Sequence, residues 1–124
     1  MLEVEEMKLY YILLHQNGHF DLVKLLINEW KLNPALRNRD GKTSLHCAST
    51  LDIVKYLVEE CNINPNDKDN DRNTSLHCAI RNKQSDISMY LLKEYKLDPS
   101  VQNRNGYNLL HFASEEGHFD IVKL

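Results

Sequence analysis

The chain has 124 residues, of which 42% are hydrophobic and 27% are charged, values typical of a folded domain. Its net charge of −3 gives no electrostatic reason to bind DNA or RNA, and no apolar run approaches the ~20 residues that a membrane span needs. The N-terminus is acidic where a secretory signal is basic, and the three cysteines form no CxxC pair. The composition therefore predicts an intracellular protein, cytoplasmic or nuclear, with neither nucleic acid binding nor membrane insertion.

The first part of the chain predicts two pairs of helices in succession. A short helix begins near Leu9, and a turn at Gly18 separates it from a longer amphipathic helix over 20–30 with one broad apolar face. After a turn-rich loop, Thr43 caps a second short helix, and a second amphipathic helix follows over 51–61.

The same order of elements recurs in the second half. Thr74 caps a third short helix, an amphipathic helix follows over 87–95, and Asn108 begins a fourth unit. Three motifs recur in one register: TSLHCA, GHFD(L/I)VKL and a loop that ends in NP or DP. The first motif has the variant NLLHFA, and the histidines of its three copies are 31 and 34 residues apart. The pattern indicates one domain of four units, approximately 1–42, 43–73, 74–107 and 108–124, of which the last is incomplete.

Each unit consists of a helix, a tight turn, a second helix and an extended loop. A single unit of this kind cannot bury its apolar face, whereas stacked units can, so the pattern predicts an all-α solenoid of stacked helix-turn-helix units. The last unit ends at Leu124, partway through its second helix, which favours a fragment of a longer array. The alternative is a natural end that frays or packs against a partner.

The repeated unit resembles the ankyrin repeat, whose length is about 33 residues and whose signature is T-P-L-H-x-A. The resemblance covers residues from about 9 to 124 and implies loops that protrude like β-hairpins. The chain departs from the family at the first helical position, where Ser44 and Ser75 replace proline, and at Arg72, which replaces the turn glycine of Gly41 and Gly106. If that turn needs a positive φ, the arginine is strained.

Unit two departs further, because it lacks three residues between its helices. Ala48 and Asp52 are four positions apart, whereas Ala79 and Asp86 are seven apart. We therefore expect the first helix of unit two to lose about one turn, and the groove beside it to be shallower. In unit three, Ser88 stands where the other units have valine, which weakens the predicted packing.

The histidines and cysteines do not predict a metal site. Adjacent helical residues such as His46 and Cys47 point about 100° apart, and equivalent positions in stacked units are about 8–10 Å apart, too far for a shared zinc or a disulfide. We interpret Cys47 and Cys78 as small core residues. The resemblance implies that the motif histidines bond to the threonines and the turn backbone. A metal- or redox-responsive domain is the least favoured hypothesis.

Catalytic motifs are absent from the sequence, which contains no G-x-S-x-G, phosphate loop or HExxH. The sequence therefore predicts no enzyme and no cofactor. The resemblance also allows hydroxylation at the loop position of Asn33, Asn64 and Asp98, but a turn-stabilising role is favoured there.

The resemblance implies that the loop tips and the exposed side of each first helix line a concave face and carry binding contacts. The units differ at these positions while agreeing in their core, as either a specific binding surface or neutral drift would produce. The predicted partner-binding residues are Arg37, Arg39, Asp40, Lys42, Lys68, Asn70, Asp71, Asn73, Arg81, Asn82, Gln102, Arg104, Asn105, Tyr107, Glu115 and Glu116. Tyr107 is the strongest single candidate, because tyrosine anchors interfaces. The basic first tip favours a partner surface of acidic character.

These features predict a non-catalytic protein–protein interaction module that binds a partner protein through the concave face. The alternative is a structural spacer segment of a longer array, with the binding site elsewhere. We expect a monomer, with self-association through the incomplete C-terminal unit as a further possibility.

Overall fold

The computed structural model describes residues 4–15, 19–95, 97–98 and 100–116. The first helix of unit one, with 12 residues, is longer than the second, with 9, whereas the first helices of units two and three are short, with 4 and 7 residues. The helices are α1 (Val4–His15), α2 (Phe20–Asn28), α3 (Ser44–Cys47), α4 (Leu51–Lys55, continued by a π-helical segment, Tyr56–Glu60), α5 (Ser75–Arg81), α6 (Ser85–Tyr95) and α7 (Leu109–Glu116). In the described ranges, none of these helices has the length and apolar character of a membrane span.

The helices stack in two layers, which is the predicted all-α solenoid. The first helices of the units, α1, α3, α5 and α7, are neighbours in one layer, and the second helices, α2, α4 and α6, are neighbours in the other. Apolar side chains from both layers meet between them and form a continuous core, whose fully buried members include Leu14, Val23, Ile53, Leu57, Leu76, Ile80 and Leu91. The final segment, 117–124, on which the expectation of a truncated helix depends, lies outside the described residues.

At the start of α3 and of α5, the N-cap threonine and the motif histidine three positions ahead bond to each other. The sequence predicted the threonine caps, and the resemblance implied the bonds of the histidines. Thr43 is the N-cap of α3, and its backbone N–H donates to Nδ1 of His46 at 3.1 Å. Since Nδ1 is an acceptor, Nε2 carries the ring proton and donates to the carbonyl of Asn73 in the next loop at 2.8 Å. The same N–H to Nδ1 bond joins Thr74 to His77 at 3.1 Å and Asn108 to His111 at 2.9 Å.

His46 and His77 therefore cap their helices and also bond to the loop that closes the same unit. The ring of His77 bonds through Nε2 to the carbonyl of Val101, 24 residues ahead, at 3.0 Å. The role that the resemblance implied for His46 and His77 is confirmed, and the structure adds that the backbone they contact lies in the loop that closes the same unit.

Ser44 and Ser75 compensate for the absence of proline at the first helical position. The hydroxyl of Ser44 donates to the carbonyl of Pro34 at 2.9 Å, and that of Ser75 donates to the carbonyl of Pro65 at 3.2 Å. A proline there would fix the backbone but could make no such bond. The serines therefore tie the start of each first helix to the loop before it.

The shortened connection in unit two has the predicted effect on its first helix. Helix α3 has 4 residues, whereas α5 has 7. After α3 the chain turns at once, and both the backbone N–H and the hydroxyl of Ser49 donate to the carbonyl of Leu14, at 2.9 and 3.0 Å. These two bonds of Ser49 attach the chain to the end of α1 at the point where α5 has a further turn of helix.

Candidate partner-binding face

The loops between units join edge to edge and form one surface, which we call the tip ridge (residues 38–42, 69–73 and 103–107). Each tip is a tight turn closed by two backbone bonds, which in the first tip join Asn38 N–H to the Lys42 carbonyl at 2.9 Å and Gly41 N–H to the Asn38 carbonyl at 3.0 Å. The described residues contain no strand. The backbone of Asn70 donates to the carbonyl of Asp40 at 3.0 Å. Arg104 likewise donates to the carbonyl of Asp71 at 2.8 Å, so the three tips are held in register.

Most of the predicted partner-binding side chains lie on this ridge or beside it, exposed to solvent. Lys42 and Asn73 are half-buried at the base of their tips. The side chains of Glu115 and Glu116 lie outside the description, although their backbone belongs to α7. The exposed residues are Arg37, Arg39, Asp40, Lys68, Asn70, Asp71, Arg81, Asn82, Gln102, Arg104, Asn105 and Tyr107.

Some of these residues already bond within the molecule. The guanidinium of Arg37 donates to the carbonyls of Gly41 at 2.8 Å and Lys68 at 2.6 Å, and lies 3.8 Å from a carboxylate oxygen of Asp67. Arg37 therefore joins the first tip to the second. The amide oxygen of Asn73 similarly accepts from Asn103 at 3.1 Å. The sequence offered no means of separating these linking residues from residues that are open to a partner.

Tyr107 stands at the end of the ridge with 41% of its surface exposed. Its ring stacks on that of His111, with centroids 5.6 Å apart and planes 26° apart. The backbone N–H of Asn108 donates to Nδ1 of His111 and holds the histidine ring in place. The Tyr107 ring that stacks on it is therefore presented in one orientation. A rigid, exposed aromatic ring is the kind of group that anchors protein interfaces.

A recess lies on the concave face at the level of unit two, with a volume of about 280 Å³. The ends of three first helices border it: His15 ends α1, Cys47 ends α3 and Arg81 ends α5. The recess lies beside the end of the shortened helix α3, and the shallower groove expected at unit two stays a prediction.

Two thiols and two imidazole rings of the recess lining have pKa values that burial shifts towards the neutral form. Burial raises the pKa of the Cys47 thiol to about 11 and that of Cys78 to about 12. Burial also lowers the pKa of His46 and His77, so their rings stay neutral. Cys47 is buried as expected, whereas Cys78 is partly exposed at the recess. The charged lining residues are Asp40, Lys42 and Arg81.

The loop positions considered for hydroxylation form side-chain turns. Asn33 accepts through Oδ1 from the backbone of Ala35, and Asn64 does so from Asn66, both at 2.9 Å. The carboxylate of Asp98 accepts from the backbone and the hydroxyl of Ser100, which lower the pKa of Asp98. These are the bonds expected of a turn-stabilising role.

Stacked helix pairs with loops that project in register define a helical repeat solenoid. A family model described as ankyrin repeats (3 copies) matches residues 9–69 and 50–124. The chain belongs to the ankyrin repeat family. Ankyrin repeats are generally protein–protein interaction modules and are typically non-catalytic. Across the described ranges, no three His, Cys, Asp or Glu side chains gather as a metal site would require.

Proposed function

We propose that this chain is a non-catalytic interaction module that binds a partner protein across the tip ridge and the first helices. The observation that carries this proposal is the ridge itself. Its backbone is held rigid by bonds between tips, while exposed side chains beside it differ from unit to unit, as Arg37, Lys68 and Gln102 do at one aligned position. A rigid frame with variable exposed groups reduces the entropic cost of binding.

The test is a comparison of partner capture by two triple variants. An Arg39→Ala/Arg104→Ala/Tyr107→Ala variant should lose a protein that the wild-type chain captures from cytoplasmic or nuclear extract, the compartments proposed for it. The matched control alters exposed residues on the second helices, Glu60→Ala/Lys93→Ala/Glu94→Ala. Circular dichroism establishes that each variant is folded. Capture that the ridge variant retains and the control loses would contradict the proposal.

A structural spacer within a longer array is the second candidate, and the outer face of unit one favours it. Four large apolar side chains of that unit are 45–49% exposed: Leu9, Ile12, Leu22 and Leu36. Terminal repeats that face solvent ordinarily carry a polar outer surface. A spacer would capture no specific protein, and alanine substitutions along its ridge would leave its interactions unchanged.

A further inference from the structure

The tips of the ridge are joined by one kind of backbone bond, and the first tip has no partner for it. In each later tip, the second residue donates its N–H to the carbonyl of the third residue of the tip before. Asn70 donates to Asp40 at 3.0 Å in this way, and Arg104 donates to Asp71 at 2.8 Å. Arg39 is the aligned donor of the first tip, and within the described ranges its N–H bonds to no other protein group. The ridge therefore has an open end at Arg39.

The chain places a helix where a preceding tip would lie. Residues 4–8, which align with the first tip, form the first turns of α1. Carbonyls inside a helix accept from the N–H groups of the next turn, so these residues offer no tip carbonyl to Arg39. A groove remains between α1 and the first loop. We call it the end groove, and its lining consists of Met7, Lys8, Tyr11, Ile12 and residues 36–39.

The walls of the end groove are fixed by bonds within the molecule. The hydroxyl of Tyr11 donates to the carbonyl of Leu36 at 2.8 Å, which ties α1 to the loop. The guanidinium of Arg37 donates to the carbonyl of Lys68 at 2.6 Å, which ties the same loop to the second tip. A groove whose walls are already held in place loses little conformational entropy when it binds a ligand.

Apolar side chains of the end groove are accessible from solvent. Ile12 is 49% exposed and Leu36 is 47% exposed, whereas Met7 and Tyr11 are partly buried against the core. The groove has a volume of about 620 Å³, within the ~300–1,000 Å³ typical of binding pockets. This volume is enough for a short stretch of peptide. The end groove thus combines an open backbone donor with apolar surface.

We propose that the end groove binds an extended segment of the partner protein. A backbone carbonyl of that segment accepts from the N–H of Arg39, and a neighbouring aliphatic side chain lies against Ile12 and Leu36. The segment continues the ridge by the bond that joins its tips, a form of recognition in which the backbone is bound and an apolar surface selects the side chain. The inference rests on the proposed function, since it names the part of the partner that meets the open end of the ridge.

The experiment is an NMR titration of the ¹⁵N-labelled chain with two capped tripeptides. The first is acetyl-Val-Leu-Val-amide, and the second is acetyl-Gly-Gly-Gly-amide, which has the same carbonyls without the side chains. The valine–leucine peptide should shift the amide resonances of Ile12, Leu36 and Arg39 in a saturable way and slow hydrogen exchange at Arg39. The glycine peptide should do neither. Equal shifts from the two peptides would overturn the inference.

Two substitutions at residue 39 separate the backbone donor from the side chain. Arg39→Pro removes the N–H, and it suits the turn, because Gly41 N–H donates to the Asn38 carbonyl and residue 39 is the second residue of that turn, where proline is favoured. Arg39→Ala keeps the N–H and is the matched control. Arg39→Pro should weaken binding of the valine–leucine peptide roughly fivefold, the effect of one neutral hydrogen bond, and Arg39→Ala should leave it unchanged. Equal binding by the two variants would contradict the proposal.

A second pair of variants tests the apolar surface without changing the turn. Ile12→Gln should weaken binding of the valine–leucine peptide roughly tenfold through lost apolar burial. Leu22→Gln, at a side chain of α2 that is 45% exposed and does not line the end groove, should leave it unchanged. Binding that survives Ile12→Gln would overturn the inference. So would shifts at Ile12 and Leu36 that depend on protein concentration without any peptide, because a second copy of the chain would then occupy the groove.

The two proposals fail separately. A chain that captures a partner through Arg104 and Tyr107 but binds neither peptide would contradict the end groove alone, since these two residues lie outside its lining. Conversely, a chain that binds the valine–leucine peptide with the expected loss in Arg39→Pro, but captures no protein, would contradict the interaction module while supporting the groove.

Discussion

At the scale of single residues, Arg72 is one of several non-glycine residues in the described ranges whose φ is positive, and it is the one that aligns with turn glycines. Its φ of 65° matches the 75° of Gly41 and the 79° of Gly106, so an arginine occupies a turn position that suits glycine. We expect Arg72→Gly to raise the free energy of unfolding by about 1 kcal/mol, because the left-handed conformation costs a non-glycine residue about 1–2 kcal/mol and glycine gives back part of this as unfolded-state entropy. Urea denaturation measures the change.

The control for this substitution is Arg104→Gly, at an exposed tip residue that does not have a positive φ. It relieves no strain, so it should leave stability unchanged or lower it. The opposite substitution, Gly41→Arg, should lower the free energy of unfolding, because a Cβ there would lie 3.0 Å from the backbone nitrogen of Asn70. A loss of stability in Arg72→Gly would mean that its side chain makes a stabilising contact.

The buried histidines predict how stability depends on pH. Burial lowers the folded-state pKa of His46 and His77 below the ordinary 6.5, although nearby Asp69 opposes this. The unfolded chain therefore binds protons more readily. This contribution to stability is fully present above the unfolded pKa, and it is lost as pH falls through the folded pKa. Protonation would also place a hydrogen on Nδ1, which accepts from Thr43.

We therefore expect the free energy of unfolding to fall as pH decreases from about 7 to 5, the range below the ordinary histidine pKa. A series of urea titrations at different pH values measures this slope. In His77→Gln the slope should be smaller, at the cost of lower stability overall. A slope that is the same in both proteins would show that other groups, such as the carboxylates, account for it.

At the scale of elements, sequence reasoning succeeded where one residue type determines a local bond. The caps at Thr43 and Thr74 and the shortened α3 follow from motif and spacing alone. The recess could not be predicted, because it depends on how the ends of three helices stand relative to one another. The role of Arg37 in linking two tips could not be predicted either, because Arg37 and the carbonyl of Lys68 to which it donates are 31 residues apart in the chain.

Helix α6 has a small polar residue, Ser88, at a buried position where the other units have valine. Ser88 is fully buried, and its hydroxyl bonds back to the carbonyl of Gln84 at 2.9 Å. The aligned residues Val23 and Val54 are buried in the other units. We expect Ser88→Val to stabilise the chain by about 1 kcal/mol through added apolar burial. The matched reverse change, Val54→Ser, should destabilise it by about 2–3 kcal/mol.

Thermal unfolding followed by circular dichroism compares these two substitutions directly. Ser88→Val should raise the melting temperature, and Val54→Ser should lower it. A lower melting temperature in Ser88→Val would mean that the space around α6 has adapted to the smaller side chain and that the valine overpacks it.

At the scale of the whole molecule, the described stack is asymmetric, because an apolar position that is buried in the inner units is exposed in unit one. Aligned positions of the second helices show this. Ile53 is 0% exposed and Ile87 is 3% exposed, in helices that pack on the second helix of the preceding unit, whereas Leu22 is 45% exposed. The burial of an apolar residue in this fold thus depends on its place in the stack as well as on its motif.

This asymmetry predicts different effects for one substitution at two aligned positions. Leu22→Gln should change the free energy of unfolding by no more than about 0.5 kcal/mol, as expected at an exposed site. Ile53→Gln should cost about 3 kcal/mol or more, since it buries an amide between units and removes apolar contacts. Urea denaturation of both variants at low protein concentration measures the difference. A large loss in Leu22→Gln that grows with protein concentration would show that a second copy of the chain covers the outer face of unit one.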